Sequence, residues 1–204
     1  MDYSLKNIRI AGTGSAVPDK IVTNQDIINS GVDTDDTWIR ETLGIRERRI
    51  ADGESASDLA ARAGLAALEN AGVDKEDVSL VILATYTPDR KAPSTACLAK
   101  HKMGIRNLCP AFDIVAICSG FMYSLAIAAN MIRSGAHKNA LVIASDVTSS
   151  LIDWQRRDCV FFGDGAGAVL LTASEYENSL FEARIFSDTN FTDGFTVYEG
   201  DATF

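Results

Sequence analysis

Cys118 is the residue of this sequence best placed for covalent chemistry. It follows the apolar run Ile114–Ile117, which is rich in β-branched residues, and it precedes Phe121–Ile132, where apolar residues recur at helical spacing. The pattern predicts a buried strand that turns sharply into a buried helix, with Cys118 at the turn. The unpaired N–H groups and the dipole at a helix start favour thiolate, the nucleophilic form of the side chain.

The neighbours of Cys118 suit an acyl-thioester intermediate. Ser119 and Gly120 leave a narrow approach in which a substrate carbonyl can come close to backbone N–H donors. The alternative is that Cys118 is a small core residue, as most free cysteines are. Sequence pattern alone leaves both interpretations open.

Composition excludes several other classes of function. The chain has 204 residues, 47% of them hydrophobic, which suffices for a substantial core, and its net charge of −9 argues against general nucleic-acid binding. We find no signal-peptide pattern and no apolar run long enough for a membrane span, so we expect a cytoplasmic protein. The four cysteines are widely spaced and have only two histidines as partners, so we expect neither a metal site nor a disulfide framework.

Basic residues cluster at Arg40, Arg46, Arg48 and Arg49, and again at Arg156 and Arg157. One interpretation is a solvated face interleaved with acidic residues, and the other is a docking patch for a phosphate or an acidic carrier protein. Trp38, just before the cluster, either covers an edge of the core or serves as a stacking platform for a flat ligand.

Strands alternate with helices along the chain. The predicted strands are Asn7–Ala11, Ile45–Ile50, Val78–Thr85, Asn139–Ser145, Ala168–Thr172 and Ser179–Ser187. The predicted helices are Asn24–Asn29 with Thr23 as its cap, a helix capped by Asp35 that ends at Thr42, Asp58–Asn70 capped by Ser57, Ser94–Met103, and the helix after Cys118. This alternation predicts one α/β domain with a mostly parallel sheet and helices on both faces.

Two glycine-rich stretches need separate interpretation. Gly12–Pro18 lacks the third glycine and the apolar helix of a dinucleotide loop, so we predict a turn there. The glycines of 163–167 permit tight backbone approach, and Asp164 is expected to cap or hold that turn.

Taken together, the motifs resemble those of β-ketoacyl-acyl-carrier-protein synthase III, a condensing enzyme of the thiolase superfamily. The matching stretches are Gly12-Thr-Gly-Ser15 with Pro18, Val32–Ile39, Gly44–Arg49, Pro93–Cys97, Pro110–Asp113, Cys118–Phe121, Ser145–Val147 and Phe162–Ala168. The resemblance implies a thiolase-like layered fold. Residues 1–204 would be its N-terminal domain, that is, the first of two structural repeats with a short continuation, and the C-terminal repeat would be absent from this chain.

The resemblance also implies a reaction. Cys118 would take a short acyl group from a thioester and pass it to the carbanion formed when malonyl-carrier protein loses carbon dioxide. The Cys118 N–H, with a glycine N–H from the second repeat, would form the oxyanion hole. Acyl-carrier protein is the implied partner, either it or coenzyme A carries the acyl group, and a homodimer without nucleic acid or membrane is expected. The implied substrate-binding residues are Trp38, Thr34, Arg40, Ala92 and Phe162.

The sequence departs from the family at its decarboxylating pair. The family's histidine and asparagine lie in the second repeat, and no His-x-Ala-Asn motif occurs here, while His101 and His137 fit solvated surface positions. The chain is then either a fragment of a longer synthase, which we favour because a missing repeat would expose a large apolar face, or a half-enzyme. A non-catalytic partner subunit or carrier-binding module, and a thiolase or hydroxymethylglutaryl-coenzyme A synthase relative, remain alternatives.

Further departures concern the substrates. Thr42–Gly44 lacks the family's arginine, and Ser150 stands where a second arginine is expected, so coenzyme A is in doubt as donor unless Arg40, Arg156 or Arg157 compensates. Ala92 occupies the position of a bulky phenylalanine that closes the partner subunit's acyl pocket in short-chain enzymes. We therefore predict a primer longer than acetyl.

Overall fold

A five-stranded sheet forms the centre of the molecule. The computed structural model describes residues 7–174, 183–190 and 192. The strands are β1 (Asn7–Ala16), β2 (Ile21–Thr23), β3 (Glu47–Arg49), β4 (Leu80–Ala84), β5 (Ala111–Ile114), β6 (Asn139–Asp146) and β7 (Gly165–Ser174). The α-helices are α1 (Asn24–Asn29), α2 (Asp36–Trp38), α3 (Ala56–Ala71), α4 (Thr95–Lys102) and α5 (Gly120–Arg133), and short helical turns cover Ile39–Leu43, Lys75–Asp77, Ile117–Ser119, Thr148–Ser150 and Arg157–Phe161.

The large sheet has the order β1-β7-β6-β4-β5, and β2 pairs with β3 in a separate ribbon. β4 runs parallel to β5 and β6, whereas β7 runs antiparallel to β6 and β1. The α/β architecture is confirmed, but the sheet is mixed rather than mostly parallel. The reason is that helices connect the parallel strands, whereas no α-helix returns the chain between β6 and β7, so β7 runs back along its neighbour.

Helices cover both faces of the sheet, as predicted. Along β4, Val81 and Leu83 pack in one cluster with α3 and α4, while Leu80 and Ile82 pack in a second cluster with α5. Successive side chains of a strand point to opposite faces, so a strand covered on both sides reads as a continuous apolar run. All five residues of β4 are buried.

The first glycine-rich stretch is strand rather than turn. β1 continues through Gly12 and Gly14 to Ala16 and pairs with β7. A Cβ on Gly14 would overlap the backbone of α3 at Ala63 and Ala67, and a Cβ on Gly12 would overlap α3 in the same way. These glycines therefore permit the close approach of α3. In the sequence, glycines that serve this packing give the same pattern as glycines of a turn.

Helix starts follow the predicted chemistry with one correction. Thr23 caps α1 as predicted, and Ser94, predicted as the first residue of its helix, is the cap of α4. The cap of α3 is Ser55, which forms a capping box with Asp58, and Ser57 was the wrong choice. Ser57 instead donates from its N–H and hydroxyl to Asp89, at 2.9 and 2.5 Å, because both groups lie in the first turn where donors need acceptors.

Three strand predictions differ from the structure. β3 is shorter than predicted, and β5 ends at Ile114 as a half-buried edge strand, so the residues 115–117 continue out of the sheet. Of the predicted strand at 179–187, residues 179–182 lie outside the described part of the chain, and residues 183–187 carry no regular structure.

Candidate active site

Cys118 lies in the turn between β5 and α5, as the sequence predicted, and it is exposed. The turn is tight because Ile117 has a φ of 44°. Left-handed backbone is unfavourable for a β-branched residue, and such conformations persist only where the surrounding structure holds them. Cys118 itself is exposed at the N-terminal end of α5, so in the described part of the chain it is not a buried core residue.

The start of α5 is pressed against the end of β4. A Cβ on Gly120 would lie 3.1 Å from the Cβ of Ala84, so only glycine permits this approach without a shift. The hydroxyl of Ser124 donates to the Gly120 carbonyl at 2.8 Å and braces the first turn of the helix. The element that carries Cys118 is therefore fixed on the central sheet.

Tyr86 is a neighbour of Cys118 that sequence reasoning missed. It follows β4, and its hydroxyl donates to Thr148 Oγ1 at 2.7 Å. Burial raises the pKa of Tyr86, the bond to Thr148 opposes this, and negative charge on Asp146 and Cys118 raises it further. Tyr86 therefore lies close enough to Cys118 for charge on that side chain to act on the phenol.

Asp146 ties the carboxyl ends of β4 and β6 together. One of its carboxylate oxygens accepts bonds from the Thr85 hydroxyl and the Tyr86 N–H, both at 2.9 Å, and from the hydroxyl and N–H of Thr87. Burial raises the pKa of Asp146 against the effect of these donors. The network fixes the segment that carries Tyr86 beside the turn of Cys118.

The other cysteines are less suited to attack a substrate. All four cysteines are free, and Cys159 is fully buried while Cys97 is exposed. Burial raises the pKa of the Cys109 thiol, partly offset by Lys100, and burial likewise raises the pKa of Cys159, partly offset by Arg48. Cys97 is thus the second exposed thiol and the natural control for Cys118.

Trp38 forms a stack with Arg157. The guanidinium carbon lies 3.8 Å from the centroid of the half-buried ring, a cation–π arrangement. Arg40 instead pairs with Asp36 at 3.5 Å, and Arg156 pairs with Asp158 at 3.0 Å. Of the three arginines that the sequence offered, Arg157 is the one placed on the tryptophan.

Thr34 lies on the same segment as Trp38. Its hydroxyl oxygen is buried and has no hydrogen-bond partner among the described residues, whereas its N–H donates to the Val32 carbonyl at 2.9 Å. An unpaired buried hydroxyl is costly unless something else satisfies it. Thr34 is therefore a candidate contact for a polar ligand group.

Ala92 and Phe162 lie on separate elements. Ala92 is exposed in the loop before α4, and that loop is anchored because the Asp113 carboxylate accepts from the N–H groups of Thr95 and Ala96, each at 2.7 Å. Phe162 is half-buried and packs edge to face on Phe161 with ring centroids 6.4 Å apart. Among the residues that the sequence proposed for the substrate, the structure brings Trp38 and Arg157 into direct contact.

The basic cluster is divided by the structure. Arg40 and Arg46 are exposed, but Arg48 is only 5% exposed and Arg49 is half-buried. Arg48 therefore contradicts both the solvated-face and the docking-patch interpretations, because its guanidinium points into the protein. Alternation along β3 turns Arg48 inward.

The predicted turn at 163–167 is wrong, because β7 already begins at Gly165, and the Asp164 carboxylate bonds to two other segments instead. This carboxylate accepts from the Ala51 N–H at 2.7 Å, from the Ser149 N–H at 2.8 Å and from the Ser149 hydroxyl at 2.6 Å. Ala51 and Ser149 line a groove of about 640 Å³, which is also lined by Val147 and Trp154. Asp164 thus holds two of the residues that line this groove.

The described residues form neither a metal site nor a membrane-spanning helix. Within 7–174, 183–190 and 192, no group of three or more histidine, cysteine or acidic side chains is arranged to hold a metal ion. His101 is exposed, and His137 has its Nδ1 2.8 Å from the Ser79 carbonyl oxygen. In that same part of the chain no helix is long and apolar enough to cross a membrane.

Comparison with known proteins supplies the context for this arrangement. The model of the thiolase N-terminal domain matches residues 40–149, and the model of 3-oxoacyl-[acyl-carrier-protein] synthase III matches residues 112–189, which include Cys118. A β-ketoacyl-[acyl-carrier-protein] synthase III from Ehrlichia canis is 45% identical over 97% of this chain and 64% of its own length. One from Neisseria meningitidis serogroup B is 48% identical over 90% of this chain and 57% of its own length.

Two solved structures are likewise similar to this chain over most of its length. The crystal structure of 3-oxoacyl-[acyl-carrier-protein] synthase III from Aquifex aeolicus superimposes with a TM-score of 0.80 at 46% identity, covering 83% of this chain and 55% of that one. The priming β-ketosynthase of the R1128 polyketide pathway gives a TM-score of 0.80 at 35% identity, covering 84% and 52%. The chain therefore spans between 52% and 64% of the length of these relatives.

Proposed function

Because the chain belongs to the thiolase family, and within it to the β-ketoacyl-[acyl-carrier-protein] synthase III enzymes, we propose that it is an acyltransferase that carries its acyl group on Cys118. The observation that carries the proposal is the position of this thiol. It is exposed, held in a strained turn and set at the start of a buried helix, within the segment that matches the synthase III model.

In the proposed acyl transfer, the Cys118 thiolate attacks the thioester carbonyl carbon of the donor. The tetrahedral oxyanion is stabilised by backbone N–H groups at the turn, including that of Cys118. Collapse breaks the carbon–sulfur bond to the donor, which leaves as a thiolate and takes up a proton. The product is an acyl-cysteine, ready for a second nucleophile.

The second nucleophile in this proposal is the carbanion of malonyl-acyl-carrier protein after loss of carbon dioxide. Its attack on the acyl-cysteine forms a carbon–carbon bond and releases Cys118 as thiolate, as in fatty-acid and related secondary-metabolite synthesis. The resemblance assigns the activation of malonyl to a histidine and an asparagine, and neither His101 nor His137 is placed near Cys118 by any contact described above. What the described residues support directly is therefore the first transfer.

Coenzyme A is the donor that we favour. Trp38 offers a flat platform, Arg157 supplies a cation beside it, and Thr34 offers an unsatisfied hydroxyl on the same segment. These features suit an aromatic base that carries phosphates. The sequence left this donor in doubt because Thr42–Gly44 lacks one of the family's arginines and Ser150 replaces the other. The stack of Arg157 on Trp38 supports coenzyme A, because it supplies one cation beside the ring.

The proposal extends to partners. β5 is an edge strand with exposed apolar residues beside it, Val115 at 68% and Ile117 at 53%, and an open edge of this kind favours pairing with a second copy of the chain. A cytoplasmic homodimer that receives malonyl groups from acyl-carrier protein is therefore proposed. In such a dimer the exposed Ala92 would leave the partner's acyl pocket open, so a primer longer than acetyl is expected.

Stoichiometric release of coenzyme A tests the proposed transfer. Mixing the chain with octanoyl-coenzyme A should release one coenzyme A per chain, and Cys118→Ser should abolish the burst. Cys97→Ser is the matched control, because Cys97 is the other exposed thiol and its loss should leave the burst unchanged. A burst that survives Cys118→Ser would refute the proposal, and a stronger burst with acetyl than with octanoyl donors would refute only the primer prediction.

A further inference from the structure

We propose that Arg48 and Asn24 are positioning residues that hold Trp38 ready for the base of the acyl donor and leave Arg157 free to move aside. This inference rests on the proposed use of coenzyme A as donor. Its basis is a buried hydrogen-bonded pair that links the element carrying Trp38 to the element carrying Arg157. Nothing in the sequence pattern distinguished these two residues from the surface cluster and the helix start in which they lie.

Arg48 lies at the centre of the link. Its Nη2 donates to Asn24 Oδ1 at 2.7 Å and to the Val160 carbonyl at 3.4 Å, and its Nη1 donates to the Val22 carbonyl at 3.1 Å. Val160 belongs to the short helix Arg157–Phe161, three residues after Arg157. The guanidinium therefore connects the β2–β3 ribbon to the element that presents Arg157.

Asn24 completes the link on the tryptophan side. It is 1% exposed, and its Nδ2 donates to Asp36 Oδ1 at 2.8 Å and to the Ile45 carbonyl at 2.9 Å. Asp36 is the first residue of α2, which ends at Trp38. One amide thus accepts from Arg48 and donates to the start of the tryptophan helix, so all its side-chain hydrogen-bonding groups are used.

A purely structural role does not explain the choice of residues. None of the hydrogen-bond acceptors of the Arg48 side chain is a carboxylate, and its Nε has no partner among the described residues. Burial lowers the pKa of Arg48, with Cys159 and Asp26 opposing the effect, so the charge is held at a cost. Apolar residues of similar volume commonly stabilise such a position better than a buried ion does. An apolar residue could not replace Arg48 in the link, because it lacks the forked guanidinium that donates hydrogen bonds to several elements at once.

The lengths of the contacts indicate which side of the stack moves. The 3.8 Å between Arg157 and the Trp38 ring leaves no room for a flat base between them, because a base needs a similar spacing on each of its faces. The bond from Arg48 toward the Arg157 element is long at 3.4 Å, whereas the bond from Asn24 toward the Trp38 element is 2.8 Å. Trp38 is therefore the fixed platform, and Arg157 is the member displaced by the base.

Two substitutions separate the parts of the link. Arg48→Met removes all three donor contacts and keeps an apolar stem of similar length. Asn24→Asp keeps an acceptor for Arg48 but removes both donors that hold Asp36 and Ile45. Arg106→Met is the matched control, because Arg106 is an exposed arginine on a different element.

The readout compares two acyl donors on the full chain. Acylation of Cys118 below saturation is measured with octanoyl-coenzyme A and with octanoyl-pantetheine, which lacks the adenine nucleotide. We expect Arg48→Met and Asn24→Asp to slow acylation by the coenzyme A thioester about tenfold, within the roughly 5- to 150-fold that a stacked base is worth. Acylation by octanoyl-pantetheine should change by less than about twofold.

Each possible outcome either supports or overturns the positioning role of Arg48 and Asn24. An equal loss with both donors, or no loss with either, would overturn the positioning role while leaving the proposed donor intact. If the unsubstituted chain shows no preference for the coenzyme A thioester over the pantetheine thioester, the proposed donor fails and this inference fails with it. Circular dichroism establishes that each variant is folded, and Arg48→Lys, which keeps the charge but not the fork, replaces Arg48→Met if the latter does not fold.

Discussion

Asp164→Asn should be among the most destabilising conservative substitutions in this chain. The carboxylate is 5% exposed, and its Oδ2 accepts from both the Ala51 N–H and the Ser149 hydroxyl, while its Oδ1 accepts from the Ser149 N–H. An asparagine keeps the Oδ1 contact but presents an NH₂ group where Oδ2 accepts. The Ala51 N–H is then buried opposite another donor.

The expected loss follows from these contacts. Leaving a buried donor without an acceptor costs about 1–3 kcal/mol, and a hydrogen bond to a charged group contributes about 1.5–3 kcal/mol. The Ser149 hydroxyl can rotate and accept a hydrogen bond from the new NH₂ group. The free-energy cost of losing its bond to Oδ2 is therefore smaller. We therefore expect Asp164→Asn to lower the free energy of unfolding by about 3 kcal/mol, and Asp164→Ala, which removes all three acceptor contacts, by about 5 kcal/mol.

Urea unfolding provides the assay. The midpoint should fall without a change in the slope of unfolding free energy against urea, which would show that stability and not compactness has changed. Asp158→Asn is the control, because the Asp158 side chain is half exposed and pairs with Arg156 at the surface, so a loss below about 0.5 kcal/mol is expected. A loss under about 1 kcal/mol for Asp164→Asn would refute the argument that this carboxylate holds the two loops.

Three further predictions follow from other parts of the structure. Gly14→Ala should cost about 3 kcal/mol or more in urea unfolding because its Cβ would overlap the backbone of α3, whereas Gly167→Ala, which has open space, should change stability by less than about 0.5 kcal/mol. For Asp58, burial alone would raise the pKa, but bonds from Lys102 and from the cap of α3 lower it to about 2. Its stabilising effect, about 1 kcal/mol after allowance for a side chain that is 41% exposed, should be complete above about pH 5 and be lost progressively as the pH falls through about 2. Ala92→Phe should shift the preferred primer in a coenzyme A release assay from octanoyl toward acetyl.

Each of these predictions has a result that contradicts it. Equal stabilities for Gly14→Ala and Gly167→Ala would show that β1 and α3 are farther apart than the structure has them. A stability difference between the unsubstituted chain and Asp58→Asn that stays constant from pH 5 to pH 2 would contradict the lowered pKa. An unchanged primer preference in Ala92→Phe would remove Ala92 from the acyl pocket.

The sequence predicted the centre of the site better than its surroundings. Cys118 was located because a β-branched run followed by helical spacing is a local signal, and no distant residue is needed to read it. The turn before Cys118 contains the left-handed φ of Ile117, which no sequence pattern predicts for a β-branched residue. Tyr86 was missed because its place beside Cys118 is set by the neighbouring ends of β4 and β5 in the sheet.

The errors have a common physical cause, which is that one local signal serves two structural uses. Gly12 and Gly14 have the composition of a turn, but they serve the packing of α3 on β1. Ser55 and Ser57 are both good helix caps, and only the partner of each side chain separates them. Arg48 belongs by sequence to a charged cluster, and the pleat of β3 alone decides that it points inward.

The central claim is that Cys118 carries the acyl group, and the site of modification tests it most directly. After incubation with octanoyl-coenzyme A and quenching in acid, fragmentation of the peptide covering residues 107–133 distinguishes Cys118 from Cys109, and separate peptides report Cys97 and Cys159. We expect one octanoyl group on Cys118 and none on the other three thiols. An octanoyl group found on Cys97 or Cys109 with Cys118 unmodified would contradict the account.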